Sequence, residues 1–157
     1  MTKIKIKDRK ESNVLCVQHD GDYKNIPHDE YFKMLKSWAK EHKARPYSKM
    51  MGIFYDDPNK EHEDPLKADI GIPIKRKKPT SGSMHIKYIP SMKVAEAKYK
   101  GTHDDIQKIY SEIYDYIREK GYKPAGSPME IFKGKSKMVD GEKVMKGVIQ
   151  VPINKKR

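Results

Sequence analysis

The chain writes one pattern twice. Setting Gly21 against Gly101 lays "HDGDY" (19–23) on "YKGTH" (99–103). The same offset of 80 puts Ile6-Lys7 on Ile86-Lys87 and Val14 on Val94. At an offset of 78, Pro46 meets Pro124 and Ile53-Phe54 meets Ile131-Phe132; at 79, "GIPI" (71–74) meets "QVPI" (150–153). Matches in this order, drifting by two residues or fewer, are what small loop insertions leave after a duplication. The expected organisation is one domain over 1–157, with pseudo-repeats 1–74 and 82–153. A basic linker at 75–81 joins them, Pro79 and Gly82 act as breakers, and a basic tail at 154–157 closes the chain.

Each repeat reads strand, strand, helix, strand, strand. "TKIKIK" alternates with period 2, as a half-buried strand does, and "VLCVQ" and "MKVAEAKY" read as the second strands. "IPHDEYFKMLKSWAKEH" reads as a helix with Pro27 in its first turn, Asp29 and Glu30 behind it, and an apolar stripe of Tyr31, Met34, Leu35 and Trp38. "HDDIQKIYSEIYDYIREKG" is the matching helix, with stripe Ile106, Ile109, Tyr110, Ile113 and Ile117 and a stop at Gly121. The alignment predicts that Trp38 and Ile117 are equivalent and face the sheet. "MMGIFY" and "ADIGIPI" finish the first repeat, "MEIF" and "KGVIQVPI" the second. The expected fold is α+β, an antiparallel sheet with two helices on one face and a groove at the pseudo-twofold seam, a natural place for a small-molecule site.

Charge placement narrows the partners. The net charge is +12, yet residues 1–74 carry 14 basic and 13 acidic groups, so the excess sits in "KRKK" (75–78), the second repeat and the tail. Neither helix has the Arg, Asn and Gln content of a DNA recognition helix, so nucleic acid is not the expected partner. The basic segments leave an acidic protein partner open, as does a homodimer. No apolar run approaches the length of a membrane span, and the N-terminus does not read as a signal peptide. With a single cysteine, Cys16, a cytoplasmic protein is expected.

Most classes of site chemistry lack their signature. The six histidines include no i, i+4 pair and there is no Cys-x-x-Cys, so they read as surface or turn residues and no metal ligand is assigned. No phosphate-binding glycine loop is present, and no cofactor is expected. Cys16 reads as an interior strand residue rather than a nucleophile. "DDP" (56–58) and "EHED" (61–64) read as turn-shaping acids. Glu130 is the exception. It lies in an apolar strand between Met129 and Ile131, where the first repeat has Gly52. Either it meets solvent or a lysine, or it is a carboxylate on a pocket floor, suited to a cationic, aromatic ligand.

"HDGDY" before a helix, "LKSWAKEH", "GIFYDDP" with "ADIGIPI", then "SPMEIF" and "VIQVPI" together resemble the GyrI-like small-molecule-binding domain, over about residues 2–153. That family includes effector-binding modules of AraC-type and MerR-type multidrug regulators and stand-alone proteins. The resemblance implies a tandem β-β-α-β-β fold that binds bulky, often cationic, lipophilic compounds through a strand glutamate, the position of Glu130. No helix-turn-helix fits before residue 2, which points to the stand-alone form. "KGKSKMVDGEK" replaces the family's second "DP" loop, and the basic balance counts against DNA mimicry. The expected function is sensing or sequestration, with Glu130 and Gly52 at the site and Tyr110, Tyr114, Phe54, Phe132 and Trp38 as candidate walls. A hydrolase using Glu130 with Tyr110 or Tyr114 is one alternative; an interaction module working through the basic segments is the other.

Overall fold

A computed structural model describes residues 2–134 and 136–156. The element order is β1 (Ile4–Arg9), β2 (Ser12–Asp20), α1 (His28–Glu41), β3 (Met51–Phe54) and β4 (Lys67–Ile74), then β5 (Met84–Ile89), β6 (Met92–Gly101), α2 (His103–Glu119), β7 (Tyr122–Pro124), β8 (Met129–Phe132), β9 (Lys137–Val139) and β10 (Glu142–Lys155). The chain is α+β, a repeated β-β-α-β-β pattern with antiparallel pairing throughout.

The pairing exchanges the first strand of each repeat. β1 leaves its own repeat and pairs with β6, Ile4 opposite Ala97 and Arg9 opposite Met92. β5 pairs with β2, Ser12 opposite Ile89 and Val17 opposite Met84. Two compact units result: Met1–Lys10 with Ser91–Arg157, and Glu11–Pro90. The first has strand order β1-β6-β10-β8, with β7 and β9 also on β10; the second has β3-β4-β2-β5. β1 alternates half-buried isoleucine with exposed lysine, as its period-2 pattern predicts.

In the Glu11–Pro90 unit, Leu15, Val17, Ile70 and Ile72 form a buried layer on one sheet face, where His19 meets Tyr31 of α1. The stripe of α1 differs from the expected one. Its buried residues are His28, Phe32, Leu35 and Ala39, whereas Met34 is exposed and Trp38 is half-buried, stacked on His42 with ring centroids 4.0 Å apart. The helix is rotated by about one residue: both stripes keep helical spacing with Leu35, and packing turns Phe32 and Ala39 inward while Trp38 stacks on His42 along its own helix. At an offset of 78, Phe32, Leu35 and Ala39 fall on Tyr110, Ile113 and Ile117, so Ile117 is matched by Ala39 rather than Trp38.

α2 keeps its expected face, with Ile106, Ile113 and Ile117 buried. Thr102 and Asp105 close a reciprocal cap at its start. Two further expectations are corrected. His19 and His28 are buried rather than surface residues, because each packs against an α1 aromatic, Tyr31 and Phe32 respectively. The segment after β8, read as a loop, contains the β9–β10 hairpin, with Asp140 and Gly141 both at positive φ as a two-residue hairpin turn requires.

Candidate functional site

Strand register assembles the site in the unit that contains α2. β6, β10 and β8 lie side by side, so Tyr99, Gly147 and Phe132 form one cross-strand row and Ala97, Ile149 and Glu130 the next. Residues two apart on a strand share a face, so both rows point the same way. α2 covers that face, and Tyr110 Oη donates a hydrogen bond to Glu130 Oε2 at 2.6 Å.

Glu130 is buried, and Met129 and Phe132 in the same strand are more so. Burial is the largest influence on its acidity and pushes its pKa up to about 7; Tyr110 and Tyr99 partly offset this by stabilising the charged form. Among the described residues no lysine or arginine pairs with it. The carboxylate therefore faces phenols where a buried anion ordinarily has a cation. Tyr99 Oη is buried, lies near this carboxylate, and closes no well-formed hydrogen bond among the described residues. Burial and the adjacent Glu130 raise the Tyr99 and Tyr110 hydroxyls far above the ordinary phenol range, so both stay protonated donors.

Gly147 makes the row possible. A Cβ there would stand 2.2 Å from the Ile131 carbonyl oxygen and 2.8 Å from Tyr99 Oη. Any side chain at this position would push Tyr99 off the carboxylate.

Of the expected site residues, the structure brings Glu130, Tyr110 and Tyr114 together: Tyr114 follows Tyr110 by one helical turn and acts on its hydroxyl electrostatically. Phe132 is buried one row from Glu130. Gly52, Phe54 and Trp38 belong to the other unit. There Phe54 packs edge-on against Tyr23 at 5.1 Å, Gly52 lies beneath the Phe54 ring, and Trp38 stacks on His42. "DDP" shapes its loop as expected: Asp56 accepts from the Lys67 backbone N–H and Asp57 from that of Asn59. Tyr99 and Gly147 escaped the sequence reading. The one available signal was that Tyr99 has the phase of the buried residues of β6; its partnership with Glu130 needs the register through β10.

The sequence matches the GyrI-like small molecule binding domain family over residues 2–140. A DNA gyrase inhibitor of Pectobacterium carotovorum is 30% identical over 127 residues, which cover 78% of this chain and 80% of that protein. Among solved structures, the EcmrR C-terminal domain aligns with 18% identity and a TM-score of 0.70 over 99% of both chains. Against EcmrR in its DNA complex the TM-score is 0.71, and this chain spans 58% of that longer one. A more distant fold neighbour, 8% identical with a TM-score of 0.50 over 97% of this chain and 94% of that one, was solved bound to tetraphenylphosphonium.

Proposed function

Because the chain belongs to the GyrI-like small-molecule-binding domain family, we propose that it binds bulky lipophilic cations, in sensing or sequestration, with Glu130 as the anionic contact. One observation carries this reading: a buried carboxylate, surrounded by phenols, with no cationic partner among the described residues. Tyr110 and Tyr114 are part-buried and offer the aromatic faces that a cation favours. The binding of tetraphenylphosphonium by a protein of this fold supports the ligand class.

The test is calorimetric titration with tetraphenylphosphonium and with neutral triphenylphosphine oxide, on wild type and Glu130→Gln. Glutamine keeps the shape and removes the charge. Removing one partner of a desolvated charge pair costs on the order of 2–5 kcal/mol, or roughly 30- to several-thousand-fold in affinity. The cation loses that much; the neutral compound is nearly unaffected. Equal losses for both ligands, or none for the cation, sink the reading.

A hydrolytic reading is favoured by the 2.6 Å contact of Tyr110 with Glu130. A carboxyl group that titrates near neutrality beside a phenol can move protons in either direction. Turnover of bound compound that is lost in Glu130→Gln and in Tyr110→Phe distinguishes this from simple binding. The relationship to a DNA gyrase inhibitor supports a third reading, inhibition of supercoiling, which a gyrase assay with the purified chain tests directly.

A further inference from the structure

The two repeats decorate one sheet position differently. On the face of β6 opposite α2, Glu96 is buried and compensated by side chains: Lys5 Nζ lies 3.6 Å and Lys7 Nζ 3.8 Å from it, and Gln150 Nε2 donates to it at 2.9 Å. The equivalent positions of the Glu11–Pro90 unit, at offsets of 79 and 80, are Cys16 for Glu96, His85 for Lys5 and Gly71 for Gln150. Cys16 on β2 stands directly between His85 on β5 and Gly71 on β4. Gly71 brings no side chain, and a Cβ there would lie 2.9 Å from Cys16 Sγ. The carboxylate of Asp69 comes from two residues away on the same face of β4.

The result is a soft ligand, a borderline ligand and a hard ligand converging on one point. A sulfur of Cys16, a ring nitrogen of His85 and an oxygen of Asp69 lie within 4.8 Å of one another, and His85 Nε2 is 3.1 Å from Asp69 Oδ1. Nitrogen and oxygen ligands of a tetrahedral zinc ion, each at about 2.0–2.1 Å, stand about 3.3 Å apart. The nitrogen–oxygen edge of such a site is therefore already formed, and the sulfur needs to close by roughly 1 Å. We propose that Cys16, His85 and Asp69 bind a zinc-type divalent ion, with water completing four-coordination.

Three further features fit a metal better than a hydrolytic Cys-His-Asp triad. Cys16 is 0% exposed, so no electrophile reaches its sulfur, whereas half-exposed His85 on the edge strand β5 gives a small ion access. Tyr55 Oη donates to Asp69 Oδ2 and so aims Oδ1 at the site, the supporting contact that ligating carboxylates usually have. A divalent ion with one thiolate, one carboxylate and a neutral imidazole is also electrically neutral, which suits a buried place. Lys87, the counterpart of Lys7, is drawn over the Tyr55 ring at 4.8 Å instead of pairing with an acid there. Because Cys16 and His85 lie on β2 and β5, a bound ion clasps the exchanged strand to its neighbour.

The experiment titrates the reduced, metal-free, untagged full chain with Co(II), then Zn(II). One equivalent of Co(II) is expected to produce a thiolate-to-cobalt charge-transfer band and the intense visible bands of a four-coordinate ion. One equivalent of Zn(II) should abolish both and raise the thermal midpoint. Cys16→Ser loses the charge-transfer band, and His85→Gln, at a half-exposed edge position that tolerates replacement, loses both the visible bands and the thermal shift. Tyr55→Phe weakens Zn(II) affinity by about 10- to 100-fold, as loss of a supporting contact does. His62→Gln, in an exposed loop, changes nothing. A wild-type chain without the charge-transfer band, or bands that persist in folded His85→Gln, overturns the proposal.

Discussion

Glu130 couples binding and stability to pH through one proton. Its folded pKa of about 7 lies above the ordinary glutamate value of 4.5. Between those values the native state holds a proton that the unfolded state has released, so stability falls as pH rises through this window and levels off above it. A shift of this size corresponds to roughly 3–4 kcal/mol at most, since each unit is worth about 1.4 kcal/mol. Glu130→Gln should therefore be more stable than wild type at pH 8 and nearly equal to it at pH 4, by urea denaturation at both pH values. Cation binding carries the opposite sign. If only the carboxylate binds, affinity for tetraphenylphosphonium rises about tenfold per pH unit below pH 7 and is flat above it. Tyr110→Phe removes a hydrogen bond that favours the charged form, so the midpoint of this profile moves to higher pH; a midpoint that stays put means that the hydroxyl does not act on Glu130. Glu130 was legible in the sequence because a lone acid in an apolar strand conflicts with its surroundings. Tyr99 was not, because a tyrosine in a β-strand conflicts with nothing.

At the scale of elements, the helices divide what periodicity can and cannot decide. In α2 the isoleucines at 106, 113 and 117 leave one choice of face. α1 offers two overlapping stripes, since Tyr31, Met34 and Trp38 are as apolar as Phe32, Leu35 and Ala39. Packing decides: Trp38 finds the His42 ring on its own helix and Met34 remains exposed. Leu35→Ala should cost about 2–5 kcal/mol, because the side chain is fully buried. Met34→Ala should change stability by about 0.5 kcal/mol or less. Denaturant unfolding of the two variants checks the phase, and similar losses would return it to the Tyr31–Trp38 stripe. The β9–β10 hairpin was legible in "DG" at 140–141 but hidden because β9 is only 3 residues long and exposed throughout, too short to show a strand's alternation.

At the scale of the molecule, the sequence repeats and the compact units divide the chain differently. The offsets locate the repeats correctly by order, but they carry no information on which neighbour a first strand chooses. Both choices satisfy the same alternation of isoleucine and lysine. The observed choice brings β5 to β2, and with it His85 to Cys16, so spacing along the chain could not have revealed that cluster. It also decides which fragments fold. Residues 11–90 keep β3, β4, β2 and β5 with α1, and with them the β2–β4, β2–β5 and β3–β4 pairings. Residues 1–74 keep β1 without β6 and leave β2 without β5, which exposes an unpaired sheet edge beside Cys16 and Val14. The 11–90 fragment should therefore unfold cooperatively in urea, monitored by circular dichroism. The 1–74 fragment should show a broad transition or aggregate. Adding a synthetic peptide of residues 82–90, which carries β5, should restore cooperativity to 1–74. The same peptide should leave 11–90 unchanged, because its β5 site is already filled. If 1–74 unfolds as sharply as 11–90 without the peptide, β2 does not depend on the strand it borrows from the second repeat.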